Sequence, residues 1–496
     1  MSASQPIRQK TISSSYSSLV LTIIIACQLM IVLDASIVIT ALPEIGGTLH
    51  FSSASLSWVQ NAYTLTFGGL LLLGARTGDI LGRRRVFMVG IGLFTVASLF
   101  AGLSQSAEWL LIARAVQGIA AAFAAPSTLA LLMISFREGH ERTRAVALYS
   151  AVSGAGGSVG LVLGGVLTDL ISWRWGMYIN VPIGVALLVL APRFLPETQR
   201  QNGRFDFTGA VTSTLGMTAL VYGFVRAAAD GWSESGTVLS FVAGAVLLTV
   251  FILNEWRAEQ PITPLRLFAS RQRSGAYAAR LLFVGGMSAT FFFLTQFLQK
   301  VLGFSALEAG FAFLPMTAVM FAMVYVVPLL LPRLGSARLL IGGVLTAFIG
   351  MAWLSRISED SLYFPQLAMP LMLLGIGAGL AFIPLTSAGI AGVAPSDAGA
   401  ASGLVNVAHQ VGGSLGLAIL VTVFGTASRT AANHPLVDAS SQLEARHELA
   451  HAVAMSITGS AVFMALALAV VIMMALRLRV DVARREPLRS RKAEQM

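Results

Sequence analysis

Apolar stretches long enough to cross a lipid bilayer recur along almost the whole chain, and no other feature limits its possible folds so strongly. A transmembrane helix needs about 20 apolar residues. Stretches of about this length lie near residues 18–41, 56–75, 86–104, 108–133, 145–168, 175–194, 207–226, 236–254, 276–299, 306–331, 338–355, 364–391, 402–425 and 453–476. The pattern predicts an all-α membrane protein with 14 transmembrane helices.

The composition excludes several classes of protein. Charged residues make up 11% of the chain, against about 25% in an ordinary soluble domain. Hydrophobic residues make up 56%, and the mean hydropathy is +0.77. A soluble enzyme or a disordered chain would not carry so much apolar surface. The single cysteine, Cys27, excludes a disulfide within the chain and a thiolate metal cluster.

Lysine and arginine residues are distributed unevenly between the two sides of the predicted bundle. With the amino terminus inside, 26 of them fall on that side, including Arg8, Lys10 and, with the connection between the eighth and ninth helices, Arg280. The opposite side has 6, and Arg114 lies within a helix. Because cytoplasmic loops carry the basic excess, both termini are predicted to be cytoplasmic. The net charge of +10 then indicates topology and attraction to anionic lipid headgroups, and not nucleic-acid binding.

Two ionisable residues lie inside predicted helices, where charge is costly and marks function by default. Asp34 precedes the outer end of the first helix by about seven residues, and Arg114 follows the outer start of the fourth by about seven. At about 1.5 Å per residue, each lies roughly 10 Å below the outer boundary, so the two side chains can face each other. A functional pair is one interpretation. The other is a static ion pair that only orients the helices, although such a pair is a poor source of stability.

Glycines recur every four residues in the predicted fifth helix, at Gly156, Gly160 and Gly164, with Gly157 and Gly165 beside them. This spacing clears one helix face, so that a neighbouring backbone can approach closely. Static packing and a sliding contact between moving helices are both consistent with the pattern.

The loop between the second and third helices combines glycines, an acid and a basic cluster. Glycines permit a tight turn, and an aspartate beside arginines can form charge-assisted hydrogen bonds that hold one conformation. A basic loop that only obeys the topology rule is the alternative. The residues concerned are Gly78, Asp79, Gly82, Arg83, Arg84 and Arg85.

These motifs resemble signatures of the fourteen-helix drug:H+ antiporters of the major facilitator superfamily. The loop is similar to G-x-x-x-D-x-x-G-R-R-R, with Ala75 at the place of the first glycine. The fifth helix is similar to G-x-x-x-G-P-x-x-G-G, with Leu161 at the place of the proline. The fourth helix is similar to L-x-x-x-R-x-x-Q-G, a signature tied to proton transfer, through Leu110, Arg114, Gln117 and Gly118. The first helix is similar to the signature of that branch through Gln28, Met30, Leu33, Asp34, Ile37, Val38, Ala41, Leu42 and Pro43.

The resemblance implies two pseudo-symmetric six-helix bundles with two extra helices between them, and a central cavity lined by the first and fourth helices. The polar, proline-bearing stretch between Glu255 and Arg273 is the best candidate for the division of the helical bundle into two halves. The expected parts are a cytoplasmic tail 1–17, a first bundle 18–194, the extra helices and their connection 195–275, a second bundle 276–476, and a basic cytoplasmic tail 477–496.

The function implied is proton-coupled export of lipophilic drugs or organic cations across the bacterial cytoplasmic membrane by alternating access. The proton gradient supplies the energy, and no cofactor is expected. Asp34, paired with Arg114 and aided by Gln117, is the predicted proton site. The acids inside the bundle are few, which favours monovalent lipophilic cations as substrates. A transporter of one specific metabolite is the alternative, and the oligomeric state stays open.

One further pattern points to a different class. Residues 447–451 match H-E-x-x-H, in which two histidines and a glutamate serve a zinc protease. A third ligand would have to come from His434 or Asp438. Because the stretch is predicted at the exposed outer end of the last helix, a solvated amphipathic turn is favoured and a metalloprotease is a remote alternative. The chain has no G-x-x-x-x-G-K-[ST] loop, so ATP is not expected to drive it.

Overall fold

The computed structural model describes residues 14–198, 200, 203–394, 397–432 and 441–493, and all regular structure in these ranges is helical. In lipid, a helix satisfies every backbone polar group within itself, which explains why the apolar stretches take this form. The helices of the first part are α1 Ser14–Thr48, α2 Trp58–Leu81, α3 Arg83–Gly102, α4 Ala107–Ser135, α5 His140–Leu170, α6 Arg174–Tyr178, α7 Asn180–Phe194, α8 Phe207–Asp230 and α9 Ser235–Arg257.

The second part begins after a connection that contains a short 3-10 turn, Leu265–Ala269. Its helices are α10 Arg271–Gln296, α11 Ala306–Ala312, α12 Leu314–Leu354, α13 Ala368–Gly389, α14 Ala398–Ala432 and α15 Ser441–Ala493. Two π-helical turns, Phe297–Val301 and Tyr363–Leu367, continue α10 and precede α13.

Within the described ranges, 12 helical segments are long and apolar enough to cross a membrane. The chain is therefore an all-helical, multi-span membrane protein. The other two predicted spans fall on α2, which is not among the 12, and on α5, whose described apolar part is Gly156–Leu170. The count of fourteen stays a prediction.

Several predicted boundaries were wrong. The two helices expected near 306–331 and 338–355 are present: α11 and the first part of α12 form one, and the other is the part of α12 beyond a kink at Gly335. There φ is 77°, a left-handed conformation that glycine adopts without steric cost. The last helix begins at Ser441, so residues 447–451 lie inside α15 and not in a turn before it. It also continues to Ala493, through most of the predicted tail. The basic residues Arg8 and Lys10 lie outside the described residues.

Arg280 lies inside a membrane-spanning helix, although the sequence count assigned it to the cytoplasmic connection. The span runs from Arg271 to Val301, so Arg280 follows its first residue by more than two helical turns. Its guanidinium contacts α13, where Thr386 accepts a hydrogen bond. Arg280 therefore contacts a neighbouring helix of the second half, a contact that the sequence did not predict.

Several groups of contacts join the first and second parts, and two of them involve α5 and α2. At the end predicted to face outside, α5 packs against α11, and the Asp169 carboxylate accepts hydrogen bonds from the backbone N–H groups of Ala306 and Leu307 at 3.0 and 2.9 Å. Nearer the middle, α2 packs against α14, where the Thr64 and Ser414 hydroxyls are hydrogen-bonded. The outer contact closes that end between α5 and α11.

Candidate functional site

Asp34 lies in α1 and is completely buried, with 0% of its surface exposed. Three side chains from two other helices donate hydrogen bonds to its carboxylate. The Arg114 Nη1 atom lies 2.5 Å from Oδ2, while the Gln117 Nε2 and Asn180 Nδ2 atoms lie 2.9 and 2.8 Å from Oδ1. The ionised carboxylate is thus satisfied by one charge and two amides.

Arg114, from α4, is held independently of Asp34 by other groups. Its Nε donates to the Val59 carbonyl at 3.1 Å, and its Nη1 also donates to the Gln117 Oε1 at 3.0 Å. The guanidinium carbon lies 4.5 Å from the centre of the Tyr63 ring, a cation–π distance. These contacts fix the planar guanidinium even when the carboxylate is neutral.

Gln117 links the pair to α3, because its Nε2 also donates to the Ser98 hydroxyl at 2.8 Å. The structure therefore brings together Asp34, Arg114 and Gln117, the three residues predicted as the proton site, and their role stays a prediction. Sequence reasoning missed Asn180 and Ser98 as partners. An asparagine in the otherwise apolar segment 175–194 was the available signal for the first, whereas serines are too common in helices to stand out.

The site lies within α1–α7, which we call the first helical group, and α10–α15 form the second helical group. It does not lie on a surface open to substrate. Arg114 is 1% exposed and Asp34 is fully enclosed. In this conformation a transported molecule cannot touch the carboxylate. Any coupling between proton and substrate must therefore pass through movement of the helices that carry the site.

Three of the predicted glycines accommodate α1. A methyl group on Gly156 would lie 3.0 Å from the Val32 Cγ1, and one on Gly164 would lie 2.6 Å from the Ile37 carbonyl. Gly160 faces Ser36 in the same way. The bare face also exposes carbonyls of α5, and the α1 hydroxyl of Thr40 donates to one of them, at Leu161. These glycines serve close packing within the first helical group.

Gly165 has a different neighbour, because it faces the second half of the chain. A methyl group there would lie 2.5 Å from the Ala306 carbonyl and 2.6 Å from the Leu307 Cα, both in α11. One turn further on, Asp169 accepts the two α11 backbone N–H groups described above. The same helix thus interlocks with α1 along one stretch and touches the second half at its outer end.

The glycine and arginine loop between α2 and α3 is a single residue, Gly82, with φ of 104°. Its left-handed conformation favours glycine, and a methyl group there would lie 2.6 Å from the Glu197 Oε1. On either side, Asp79 Oδ1 pairs with Arg83 at 2.5 Å, and Gly78 packs against the Arg83 side chain. Gly82 therefore permits a turn too tight for any other residue.

The remaining arginines of the loop contact the segment that follows α7. Arg84 donates to the Leu195 carbonyl at 3.1 Å, and its Nε lies 3.7 Å from the Glu197 Oε2. Arg85 lies at the same distance from that oxygen. Glu197, which sequence reasoning missed, also accepts from the backbone N–H of Arg84. The loop thus holds together the ends of α2, α3 and α7 that are predicted to face the cytoplasm.

The sequence from residue 24 to residue 417 matches the family model of the Major Facilitator Superfamily. The chain belongs to the Major Facilitator Superfamily. The resemblance stated from the motifs is confirmed at this level.

Relatives within the superfamily are similar over most of their length. The cephamycin export protein CmcT of Amycolatopsis lactamdurans is 40% identical over 84% of this chain and 87% of its own. The puromycin resistance protein pur8 of Streptomyces alboniger is 41% identical over 81% of each chain. The tetracenomycin C resistance and export protein of Streptomyces glaucescens is 35% identical over 79% of this chain and 73% of its own.

Solved structures of superfamily members share the fold. A bacterial homologue of the human lysosomal transporter Spinster has a TM-score of 0.66 at 16% identity, over 93% of this chain and 97% of its own. The nucleoside transporter NupG has a TM-score of 0.64 at 12% identity, over 92% and 99%. These similarities concern the fold alone.

Two residues of the H-E-x-x-H pattern, His447 and Glu448, form hydrogen bonds with protein side chains. The His447 Nδ1 lies 2.6 Å from the Glu359 Oε1, and this hydrogen bond lowers the pKa of Glu359. Glu448 accepts from the Ser428 hydroxyl at 2.7 Å. No three histidine, cysteine or acidic side chains are grouped for metal binding in the described ranges, and both suggested third ligands, His434 and Asp438, lie outside them.

Proposed function

We propose that this protein is a proton-coupled antiporter that exports lipophilic drugs from the bacterial cytoplasm. The observation that supports this most strongly is the enclosed Asp34–Arg114 pair, a buried acid and base in a superfamily whose similar members are named for antibiotic export and resistance. A buried ion pair is a poor means of gaining stability. Its cost is better explained by a carboxyl group that must bind and release a proton.

In the proposed mechanism, a proton from outside neutralises Asp34 and removes its attraction for Arg114. The other partners of Arg114 keep the guanidinium in place, so the lost attraction alters the position of α1. Because α1 interlocks with the glycine face of α5, movement of α1 is transmitted to α5. The outer end of α5 bears Gly165 and Asp169, which contact α11. Protonation would thereby bias the contact between the two helical groups, and this provides the two-state element that alternating access requires.

The finer features of the fold are part of the same proposal. With α2 and α5 added to the 12 apolar segments, the chain would have fourteen spans. They would form two six-helix bundles, 18–194 and 276–476, separated by the extra helices of 195–275, with both termini cytoplasmic. The energy source would be the proton gradient of the cytoplasmic membrane, with no cofactor.

Dye efflux tests the proposed function directly. Cells expressing the chain are loaded with the lipophilic dye rhodamine B and energised, and efflux is followed with and without a protonophore. We expect efflux above that of cells with an empty vector, and its loss on addition of the protonophore. No dye efflux in any energised cells, together with proton-coupled movement of a single metabolite, would favour the alternative transporter.

The topology gives a separate prediction, because Cys27 is buried and is the only cysteine. Single cysteines are introduced at two exposed acids, Glu138 in the connection after α4 and Asp360 in the connection after α12. A membrane-impermeant maleimide added to intact cells is expected to label Asp360→Cys, and to label Glu138→Cys only after the cells are opened. Wild-type protein is the unlabelled control. Labelling of Glu138→Cys from outside would invert the topology.

A further inference from the structure

Arg280, on α10, is a cation for which the described part of the chain provides no acidic partner. Its Nη1 donates to the Thr386 hydroxyl at 2.9 Å, and its guanidinium carbon lies 5.3 Å from the centre of the Phe382 ring. Its Nε is buried and lacks a hydrogen-bond partner. Among the residues that the structure describes, no carboxylate forms an ion pair with it.

His409, on α14, shares the same aromatic ring. The centres of the His409 and Phe382 rings lie 6.0 Å apart. Its Nδ1 is buried and also has no partner. Two nitrogen-bearing side chains from α10 and α14 thus approach one phenylalanine of α13, each with an unsatisfied nitrogen.

Unsatisfied buried nitrogens of this kind point to an absent acceptor. A charge without a counterion is costly inside a membrane, and a guanidinium fork matches the two oxygens of a carboxylate. The Thr386 hydroxyl accepts a hydrogen bond from Arg280, but this neutral acceptor leaves the positive charge of the guanidinium uncompensated. A topology signal would explain a basic residue in this part of α10, but not a buried Nε that has no hydrogen-bond partner among the described residues.

The cluster is also accessible. Thr386 is exposed and Arg280 is partly exposed. No acidic side chain in the described ranges forms an ion pair with Arg280. Arg280 lies nine residues after the start of α10, or about 14 Å along the helix. Arg280 thus lies nearer the end of α10 that is predicted to face the cytoplasm. A molecule entering from the cytoplasm would meet the cation before it reached the middle of the membrane.

We propose that Arg280 and His409 form an anion-accepting subsite for the exported molecule. The substrate class is an amphiphile with an apolar or aromatic body, packed on Phe382, and one carboxylate, bound by the Arg280 guanidinium and the His409 Nδ1–H. This inference rests on the proposed function and narrows it. It differs from the sequence-based expectation of monovalent cationic substrates, which considered only the acids of the bundle and stays a prediction. A cation would be repelled by Arg280 at this point of the path.

A matched pair of dyes tests the subsite. Rhodamine B carries a carboxylate, and its ethyl ester has the same ring system without it. Binding of both to the purified full chain is measured by fluorescence anisotropy for wild type, Arg280→Gln and Arg280→Lys. Lys300→Gln is the control, because it removes one positive charge from the opposite end of the same span. We expect Arg280→Gln to weaken binding of the carboxylate dye about tenfold or more, the effect of a lost hydrogen bond to a charged group.

The ester dye, which is a cation, reports whether each variant is folded, and its affinity should not fall in Arg280→Gln, because the substitution removes a nearby positive charge. Arg280→Lys should keep part of the preference for the carboxylate, because the charge remains and the fork is lost. Equal weakening of both dyes, or no weakening of either, would overturn the subsite. Protonophore-sensitive efflux of the two dyes is measured separately. Its absence in wild type would refute the proposed function, while the binding data would still decide on the subsite.

Discussion

Replacing Asp34 by Asn is expected to reduce proton-driven efflux to the level seen with a protonophore, while the protein still folds. Asparagine has nearly the same shape and keeps an oxygen for the amides of Gln117 and Asn180, so the packing of α1 is preserved. It cannot exchange a proton, and it mimics the neutral state of the carboxyl permanently. The measurement is substrate efflux together with proton flux in proteoliposomes.

Two comparisons make this result interpretable. Dye binding to detergent-purified Asp34→Asn should persist, because the carboxylate is enclosed and does not contact the transported molecule. Asp360→Asn, a change at an exposed acid outside the spans, should transport like the wild type. Full proton-coupled activity of Asp34→Asn would place the proton site elsewhere.

Replacing Arg114 by Ala is expected to destabilise the protein strongly and to move the pH dependence of transport upward. Removing one partner of a buried ion pair costs about 3–5 kcal/mol, because the other is left uncompensated. The Val59 carbonyl and the Gln117 amide also lose a donor. A carboxyl without a neighbouring cation in apolar surroundings holds its proton more firmly, so transport should require higher pH to release it. Thermal unfolding and efflux across a pH series are the two measurements.

Arg114→Lys separates charge from geometry. An ammonium can pair with Asp34, but it cannot also reach the Val59 carbonyl and stack on the Tyr63 ring as the planar guanidinium does. Partial recovery of both stability and pH dependence is therefore expected. Arg356→Ala, at an exposed arginine after α12, is the control for loss of charge. An unchanged pH dependence in Arg114→Ala would show that the pair has no part in coupling.

The contact between Asp34 and Arg114 follows from arithmetic that a sequence permits. Rise per residue fixes the depth of a side chain in a straight helix, and antiparallel neighbours bring equal depths together. The glycine spacing of α5 likewise predicts a close approach. It does not name the neighbour, because that depends on how the helices are arranged around one another. The structure assigns Gly164 to α1 and Gly165 to α11, although they are consecutive.

Other parts of the site were beyond the sequence for physical reasons. Glu197 lies in a short polar segment, and nothing local shows that its carboxylate reaches the turn at Gly82, more than a hundred residues earlier. Asn180 lies 146 residues after Asp34, and nothing in its own segment shows which helix its side chain contacts. Arg280 was missed because a basic residue near the start of a predicted helix is equally consistent with a cytoplasmic loop, and only tertiary packing shows its depth. Helix ends are the least certain part of such predictions. The start of the helix near residue 276 decided whether Arg280 was counted in the helix or in the connection before it.

The complete enclosure of Asp34 has a consequence for how such a pump evolves. In the described conformation the carboxyl group is closed off from a transported molecule, so it imposes no shape or polarity on that molecule there. If the proposed subsite and the proposed proton site are both correct, substitutions around Phe382 and His409 would change which compounds are accepted and leave Asp34 intact. Under antibiotic selection, new resistance spectra can arise from single changes in the second helical group, without a need to rebuild the energy supply.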